Sequence, residues 1–442
     1  MRRTMVMITF EEACDTVLEV FEKEWRTASD VMRTERLEKE KRAIMGYCEE
    51  MQEYKAKIGR IVEEKGLSEV PYPEWYKNIT EGIFNELYGL AGLAPWAYDE
   101  KEEYASSSSA KLIGDRLFCL IDGVSVLQPQ RISRERREQL KRTFLMAAPK
   151  ERLEQGFHEV YLQNGIRITI YSGDRTKEDQ DVMVFRKYLL NRMTFEELER
   201  LETIPEGSSE LFRLFVRTGM NVLFAGPVRS GKTTFLQIWQ SYEDPKLEGA
   251  AIATDPETDW YSIMPEAPIM QLVADGRQLE EITRPLMRGD NDYIILEEMR
   301  DAAAFMTALE IAAVGTGRCK ATVHTGNAEL LPFMMAEKIR HRYGGNSEDI
   351  IKRIADCFDL AFEMRQEEDD RAIKRLTAIT QFYIDPATGR PVCSKLMEYD
   401  KTAEKWKWKN CLSPKILRKL SAYPEEKIRI LDILKRLGDG SR

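Results

Sequence analysis

The sequence predicts an α/β protein whose second half contains a mostly parallel sheet covered by helices. From Glu210 onward, short apolar stretches alternate with helical stretches, and this alternation is typical of parallel strands joined by crossover helices. A glycine-rich motif lies between one of these strands and the helix that follows it. That is the usual position of a phosphate-binding loop in such folds.

The elements of the second half follow from local patterns. Apolar runs short enough for strands occupy 221–225, 250–254, 269–274, 293–296 and 321–324. Helical patterns occupy 232–242, 278–288 and 301–314.

The first half has a different composition. Residues 8 to about 65 are rich in Glu, Lys, Arg, Leu and Met and contain no proline, which predicts helix. Asn164-Gly165 separates two apolar stretches and predicts a β-hairpin over 159–171. We therefore predict three parts: a helical extension at 1–66, an α+β N-terminal domain at 67–206, and an α/β domain with a C-terminal helical tail at 207–442.

The composition excludes several classes of protein. The chain has 442 residues, 43% of them hydrophobic and 32% charged, which is ordinary for a soluble globular protein. Its net charge of −9 argues against a dedicated nucleic-acid binder, which is usually basic. The seven cysteines form no CxxC pair and only three histidines occur, so we expect free thiols in a reducing compartment and no zinc site.

Targeting signals are also missing from the sequence pattern. No apolar run approaches the ~20 residues needed to span a bilayer. The N-terminus begins MRRTMVMITFEE, and its early acidic residues are unlike a signal peptide. We therefore expect a cytoplasmic protein whose contact with a membrane is peripheral.

The segment Gly226–Thr234 matches the phosphate-loop pattern G-x-x-x-x-G-K-[ST] in full. Glycines let backbone N–H groups turn toward phosphates, and a helix N-terminus adds partial positive charge. Lys232 would neutralise the β- and γ-phosphates and Thr233 would hold Mg²⁺, so ATP and Mg²⁺ are the expected ligands. The predicted nucleotide-binding residues of the loop are Gly226, Pro227, Val228, Arg229, Ser230, Gly231, Lys232, Thr233 and Thr234.

Acidic residues and one histidine follow later strands. Glu297 and Glu298 come at the carboxyl end of the strand at 293–296, where open α/β sheets bind ligands. Asp255 and Glu257 follow the strand at 250–254, and His324 ends the last one. The alternatives are a solvent-exposed strand end, an acidic turn, and a histidine that only packs within its strand.

Together these elements resemble the secretion ATPase superfamily, which includes the motors of type II secretion, type IV pili and type IV secretion. The resemblance extends over roughly 155–400 and is greatest to the tight-adherence (Tad, CpaF-like) pilus branch. Residues 286–300 resemble the family's Walker B stretch and 315–327 its His box. Asn164-Gly165-Ile166-Arg167 and Phe185-Arg186-Lys187 resemble N-terminal-domain motifs.

The resemblance implies a RecA-like ATPase domain and assigns roles to individual residues. Glu298 is the expected Walker B glutamate and Arg300 its arginine. Glu257 is expected to assist catalysis and His324 to report the γ-phosphate. The implied Mg²⁺ ligands are Thr233, Glu298 and Asp255. Two further arginines are expected to bring positive charge to the nucleotide, in cis or in trans: Arg167 and Arg186.

Three positions depart from the family pattern. Glu297 replaces the glycine before the Walker B glutamate. The first histidine of the His box is absent, with Thr316 or Arg318 near its place. The family also carries an Asp box, with which Asp255-Pro256 aligns, but the glutamate that follows falls at Glu257 rather than one residue later. These differences leave open a slow or unconventional site.

The function implied by the resemblance is a hexameric, ATP-hydrolysing ring motor. It would act at the inner face of the cell membrane and drive the platform protein of a Tad-like or type IV pilus or of a secretion system. One alternative is a nucleotide-binding scaffold with weak or no turnover, which the three departures favour. Another is a DNA-translocating RecA-like motor of a conjugation system, against which the acidic charge weighs, so nucleic acid is not an expected partner.

Overall fold

The computed structural model describes residues 8–148, 156–187, 193–254, 256–314 and 318–440. The chain divides into two compact units, Met1–Leu189 (unit 1) and Leu190–Arg442 (unit 2). Within the described ranges, every helix is too short or too polar to cross a bilayer.

Unit 1 begins with helices and continues into a sheet. Its helices are α1 (Phe10–Thr27), α2 (Asp30–Ile44), α3 (Cys48–Glu64), α4 (Ile79–Tyr88), α5 (Ala94–Ala97), α6 (Glu102–Ala105) and α7 (Arg134–Ala147). Its strands are β1 (Ser109–Ile113), β2 (Arg116–Ile121), β3 (Val124–Arg131), β4 (Phe157–Tyr161), β5 (Arg167–Tyr171) and β6 (Val182–Arg186). Among the described residues these strands form one antiparallel sheet, in the order β3-β2-β1-β6-β5-β4.

Local signals explain where these elements begin and turn. Thr9 and Glu12 form a capping box at the start of α1, each side chain accepting a hydrogen bond from the other's backbone N–H. The predicted hairpin is present, because β4 and β5 pair directly on either side of Asn164-Gly165. Ile44, at the end of α2, packs into the core of the sheet. The helices and the sheet therefore share one folded unit.

Unit 2 alternates strands and helices before a run of strands. Its helices are α8 (Phe195–Arg200), α9 (Ser209–Arg217), α10 (Lys232–Ser241), α11 (Trp260–Ile263), α12 (Gly276–Arg288), α13 (Ala302–Val314), α14 (Leu331–Tyr343), α15 (Ser347–Cys357), α16 (Pro414–Lys419) and α17 (Pro424–Gly440). Its strands are β7 (Val222–Ala225), β8 (Gly249–Ala253), β9 (Ile269–Val273), β10 (Tyr293–Met299), β11 (Lys320–Val323), β12 (Leu360–Gln366), β13 (Lys374–Ile384), β14 (Pro391–Asp400) and β15 (Lys405–Trp408).

The described strands of unit 2 form one sheet, in the order β15-β14-β13-β12-β7-β11-β10-β8-β9. Six neighbouring strands run parallel to one another: β12, β7, β11, β10, β8 and β9. On the other side of β12, the strands β13, β14 and β15 pair antiparallel. The predicted fold class is confirmed: a RecA-like P-loop domain preceded by an α+β part and a helical extension. No strand is predicted from the sequence after 324, so the strands β12 to β15 are an addition to the prediction.

Both faces of the central strands of this sheet are buried. Along β7, Val222 and Phe224 point into one apolar core, whereas Leu223 and Ala225 point into the other. Alternation is the normal geometry of a strand, and burial on both sides explains why a parallel strand is a continuous apolar run. The polar ends of such strands are consequently the places at which chemistry can occur.

A buried carboxylate connects the start of β7 to the C-terminal helices. Asp359 lies just before β12 and is almost completely buried, and it accepts a hydrogen bond from the backbone N–H of Asn221 at 2.9 Å. Its oxygens also pair with Lys415 at 3.2 Å and Lys419 at 2.7 Å, both on α16. Burial acts to raise the pKa of Asp359, but Lys415 and then Lys419 outweigh it and hold the pKa below its ordinary value.

We predict that Asp359→Asn destabilises unit 2 by about 3–5 kcal/mol, because two partly buried ammonium groups lose their counter-charge. Urea unfolding at pH 7 measures this, with the exposed Asp369→Asn as a control expected within about 0.5 kcal/mol of wild type. The folded pKa of Asp359 lies below the unfolded value of about 3.9. The stabilisation of unit 2 by Asp359 is therefore complete above about pH 3.9, and it is lost as the pH falls through the folded pKa of Asp359. Equal stabilities of the two variants would contradict this role.

Candidate functional site

The predicted phosphate loop is a tight turn between β7 and α10. Gly226 has φ 149° and Gly231, at the N-cap of α10, has φ 91°, conformations that glycine adopts at little cost. A Cβ on Gly226 would lie 2.1 Å from the carbonyl oxygen of Met364. Glycine is thus required there because the chain of β12 passes directly against the loop.

The loop has the properties of an anion cradle. The N-terminus of α10 points its partial positive charge at the loop, as in other phosphate sites. Ser230 is fully buried, and its hydroxyl has no hydrogen-bond partner among the described residues. Thr233 and Thr234 lie partly exposed in the first turn of the same helix. The residues present therefore suit phosphate groups.

Lys232 is the central cation of this loop. Its side chain is buried, and Nζ donates to the carbonyl oxygen of Pro227 at 2.7 Å. It also contacts Nδ1 of His324 at 3.3 Å. Burial lowers the pKa of Lys232 to about 8, while the charges of Glu298 and Glu257 act in the opposite direction.

A chain of hydrogen bonds continues from Lys232 to Glu298. Lysine is only a donor, so Nδ1 of His324 must accept. The ring proton therefore lies on Nε2, which donates to Glu298 Oε1 at 2.7 Å. The structure thus brings together three predicted residues from the ends of β7, β11 and β10, as the parallel order of the sheet requires.

Glu298 reaches this position through a β-bulge. Leu296 pairs with Ala321 and Met299 with Val323, so that Glu297 and Glu298 together oppose a single residue of β11, Thr322. Bulges of this kind redirect side chains. The backbone of Glu298 has φ 63°, and its N–H donates to the hydroxyl of Thr322 at 2.7 Å.

Arg300 also contacts Glu298. Its guanidinium forms an ion pair with Glu298 and is about half exposed. Burial acts to raise the pKa of Glu298, but Arg300 and then His324 outweigh it and leave the pKa below its ordinary value. Glu298 is therefore held as a carboxylate between two nitrogen groups.

The neighbouring Glu297 points away from this chain. Its carboxylate is buried and accepts hydrogen bonds from Trp260 Nε1 at 2.7 Å and from the backbone N–H of Glu257 at 3.3 Å. Burial raises the pKa of Glu297 to about 7, against the hydrogen bonds that it accepts. Trp260 was not singled out from the sequence, and its only signal there is its position after the acidic segment.

The remaining predicted residues divide into three groups. Glu257 lies close enough to Lys232 for its charge to act on the lysine pKa. Asp255 lies outside the described residues, as does Thr316. Arg318, near the place of the missing histidine, instead donates to the carbonyl of Val216 at 3.0 Å and pairs with the buried Glu243.

Arg167 and Arg186 belong to unit 1. They are direct partners on the neighbouring strands β5 and β6. Arg167 is buried and Arg186 partly exposed. Their role toward a nucleotide remains a prediction from the sequence.

One family model matches part of this chain. Residues 177–337 match the family described as Type II/IV secretion system protein. The matched stretch is over a third of the chain and contains the phosphate loop, the strand β10 with Glu298, and His324. No curated protein matches the chain.

Solved structures of secretion and pilus ATPases are similar to this chain. The pilus retraction motor PilT with bound ADP has 16% identity, covers 75% of this chain and 89% of its own, and gives a TM-score of 0.47. The ATPase DotB of Yersinia pseudotuberculosis has 16% identity over 84% of this chain and 96% of its own, with a TM-score of 0.47. The VirB11 ATPase of Brucella suis, in complex with sulphate, has 18% identity over 65% and 92%, with a TM-score of 0.35.

We predict that Lys232→Ala weakens the binding of pyrophosphate by roughly 10- to 100-fold. Charge-assisted hydrogen bonds contribute about 1.5–3 kcal/mol, and 1.4 kcal/mol corresponds to about tenfold in affinity. Isothermal titration calorimetry of wild type, Lys232→Ala and the exposed control Lys246→Ala measures the effect. Unchanged affinity in Lys232→Ala, or an equal loss in the control, would contradict the assignment.

Proposed function

We propose that this chain hydrolyses ATP as a motor of a type II/IV secretion or pilus machine. The carrying observation is the chain of contacts from Lys232 through His324 to Glu298, which starts in a complete phosphate loop. Phosphoryl transfer depends on such a lysine and on an acidic residue that orients the nucleophile. The match of residues 177–337 to a secretion-system family supports the biological setting.

Binding of the nucleotide requires Lys232 to change partners. Its ammonium now donates to a carbonyl of its own loop and to His324. Phosphate oxygens are stronger acceptors than either of these, because they are charged. As Lys232 turns to them, His324 loses one contact and keeps its bond to Glu298. His324 would in this way report an occupied phosphate site to the Walker B glutamate.

The donor set also suits Mg²⁺. Thr233 and Glu298 offer a hydroxyl and a carboxylate, which are oxygen ligands of the kind that Mg²⁺ takes. Among the described residues no group of three or more His, Cys, Asp or Glu side chains could hold a metal by itself. That fits an ion bound by one or two protein groups together with substrate phosphates. When bound, Mg²⁺ supplies charge neutralisation on the phosphates.

Glu298 is the group proposed to orient and activate the attacking water. Its pKa lies below the ordinary value, so it is ionised at neutral pH and can accept a hydrogen bond from water. Arg300 pairs with it and holds its direction. Glu257 adds a second negative charge near Lys232, and Asp255 is retained as a proposed Mg²⁺ ligand on the family pattern alone.

The finer identity is proposed on the same pattern. We propose a Tad-like branch of the family, a homohexameric ring and an inner-membrane platform protein as partner. The N-terminal motifs around Arg167 and Arg186 support the branch and the ring. A net charge of −9 argues against a DNA-translocating motor. The proposed location is the cytoplasmic face of the cell membrane.

We predict that Glu298→Gln lowers kcat for ATP by at least about 100-fold, the scale of general base catalysis, while ATP still binds. The substitution keeps the size of the side chain and removes its charge. Steady-state phosphate release and calorimetric binding measure both quantities, with the exposed Glu266→Gln as a control. Glu297→Gln should do less than Glu298→Gln, and the opposite order would contradict the proposed role of Glu298. A wild type that binds ATP without turnover would favour a scaffold.

We also predict that ATP and Mg²⁺ promote a hexamer and that specific activity rises with protein concentration. An arginine that reaches transition-state charge contributes strongly to kcat. Arg167→Ala or Arg186→Ala should therefore lower kcat by about tenfold or more and change ATP affinity less. Light scattering with and without ATP, together with activity across a dilution series, measures this. A fully active monomer would contradict the ring.

A further inference from the structure

The side chain of Glu297 connects two segments of unit 2 that are distant in sequence. One carboxylate oxygen accepts from the indole N–H of Trp260, which is completely buried. The other accepts from the backbone N–H of Glu257. Both oxygens are thus used on the segment 257–260, and neither belongs to the chain of contacts that reaches Lys232.

The segment 257–260 is also held at Thr258, which lies between these two contacts. Gln237 on α10 donates to the hydroxyl of Thr258 at 3.2 Å. Gln271 on β9 donates to the carbonyl oxygen of Thr258 at 2.8 Å. Thr258 is therefore held by neighbouring elements, whereas the backbone N–H of Glu257 has Glu297 as its acceptor. Loss of the Glu297 carboxylate would remove a contact that holds the backbone of residue 257.

Glu257 matters because of where its charge acts. Ala253, at the end of the strand that leads to residue 257, pairs with Glu297 next to Glu298, so the segment follows the same edge of the sheet as the phosphate loop's partners. The charge of Glu257 acts against the burial that lowers the pKa of Lys232. A displacement of its backbone by about 1 Å would move that charge, and misplacement on this scale can cost about 100-fold in rate. The rate would therefore depend on the position of residue 257, whose backbone N–H donates to Glu297.

A glycine at 297 could not make these contacts. The backbone at position 297 does not require glycine, because the left-handed conformation of the bulge is at Glu298 and not at Glu297. The carboxylate at 297 and the indole at 260 fit one another, since each satisfies a buried polar group of the other. Glu297, which replaces the glycine of the family pattern, therefore adds a connection within the site.

We infer that Glu297 is a positioning residue that holds Glu257 toward Lys232 through the backbone of residue 257. This inference rests on the proposed ATPase function. Glu297 itself contacts neither phosphate nor water in this scheme. Glu297 acts through Glu257, and the indole N–H of Trp260 keeps the Glu297 carboxylate in place.

The first experiment is a double-mutant cycle on kcat for ATP. Glu297→Ala should lower kcat about tenfold in the wild-type background, with less effect on ATP affinity. In a Glu257→Gln background it should change kcat by less than about twofold, because residues that act as one unit are not additive. An equal loss in both backgrounds would overturn the inference. Trp260→Phe keeps the bond to residue 257 and should lower kcat less than Glu297→Ala, so equal losses would also overturn it.

The second experiment does not depend on turnover. Hydrogen–deuterium exchange of the nucleotide-free protein should be faster for a peptide that covers 256–260 in Glu297→Ala than in wild type. Peptides of α15 in unit 2 serve as the control for unfolding of that unit, and Glu297→Gln, a milder variant, covers the case in which Glu297→Ala does not fold. Unchanged exchange at 256–260 in a folded variant would overturn the inference. A wild type without ATPase activity would instead contradict the proposed function, and exchange would still decide whether Glu297 holds the segment.

Discussion

The buried ammonium of Lys232 is the constraint on which the rest of the site depends. Removing such a charge from water costs several kcal/mol unless nearby groups compensate. Here the compensation comes from a loop carbonyl, from His324 and from the charges of Glu298 and Glu257. Those groups lie at or beyond the carboxyl ends of four strands, β7, β11, β10 and β8, so the parallel order of the sheet has to bring these ends to one edge.

Two adjacent acids acquire opposite environments on this edge. Glu298 keeps a lowered pKa and is partly exposed, whereas burial raises the pKa of Glu297 to about 7. The difference arises from the bulge, which turns one side chain toward His324 and leaves the other facing Trp260. Sequence proximity therefore says little about chemical role at this point, and the backbone geometry decides it.

The sequence was sufficient wherever a signal was local. The phosphate loop, the strand before it and the hairpin at Asn164-Gly165 depend on residues that are close in sequence, and the structure contains them. Among the strands that the sequence does not predict, β14 and β15 are largely charged or partly exposed and lack the clean alternation of a half-buried strand. The hydrogen bond between Trp260 and Glu297 joins residues that are 37 positions apart in sequence, and no local pattern predicts a contact of that kind.

The left-handed backbone at Glu298 has a consequence for how this sequence can change. A residue with a side chain in that conformation carries strain of about 1–3 kcal/mol, which glycine would relieve. Replacement by glycine would relax the backbone and delete the carboxylate in the same step. Backbone stability and the carboxylate therefore oppose one another at this position, and a variant with glycine there would gain the first only by losing the second.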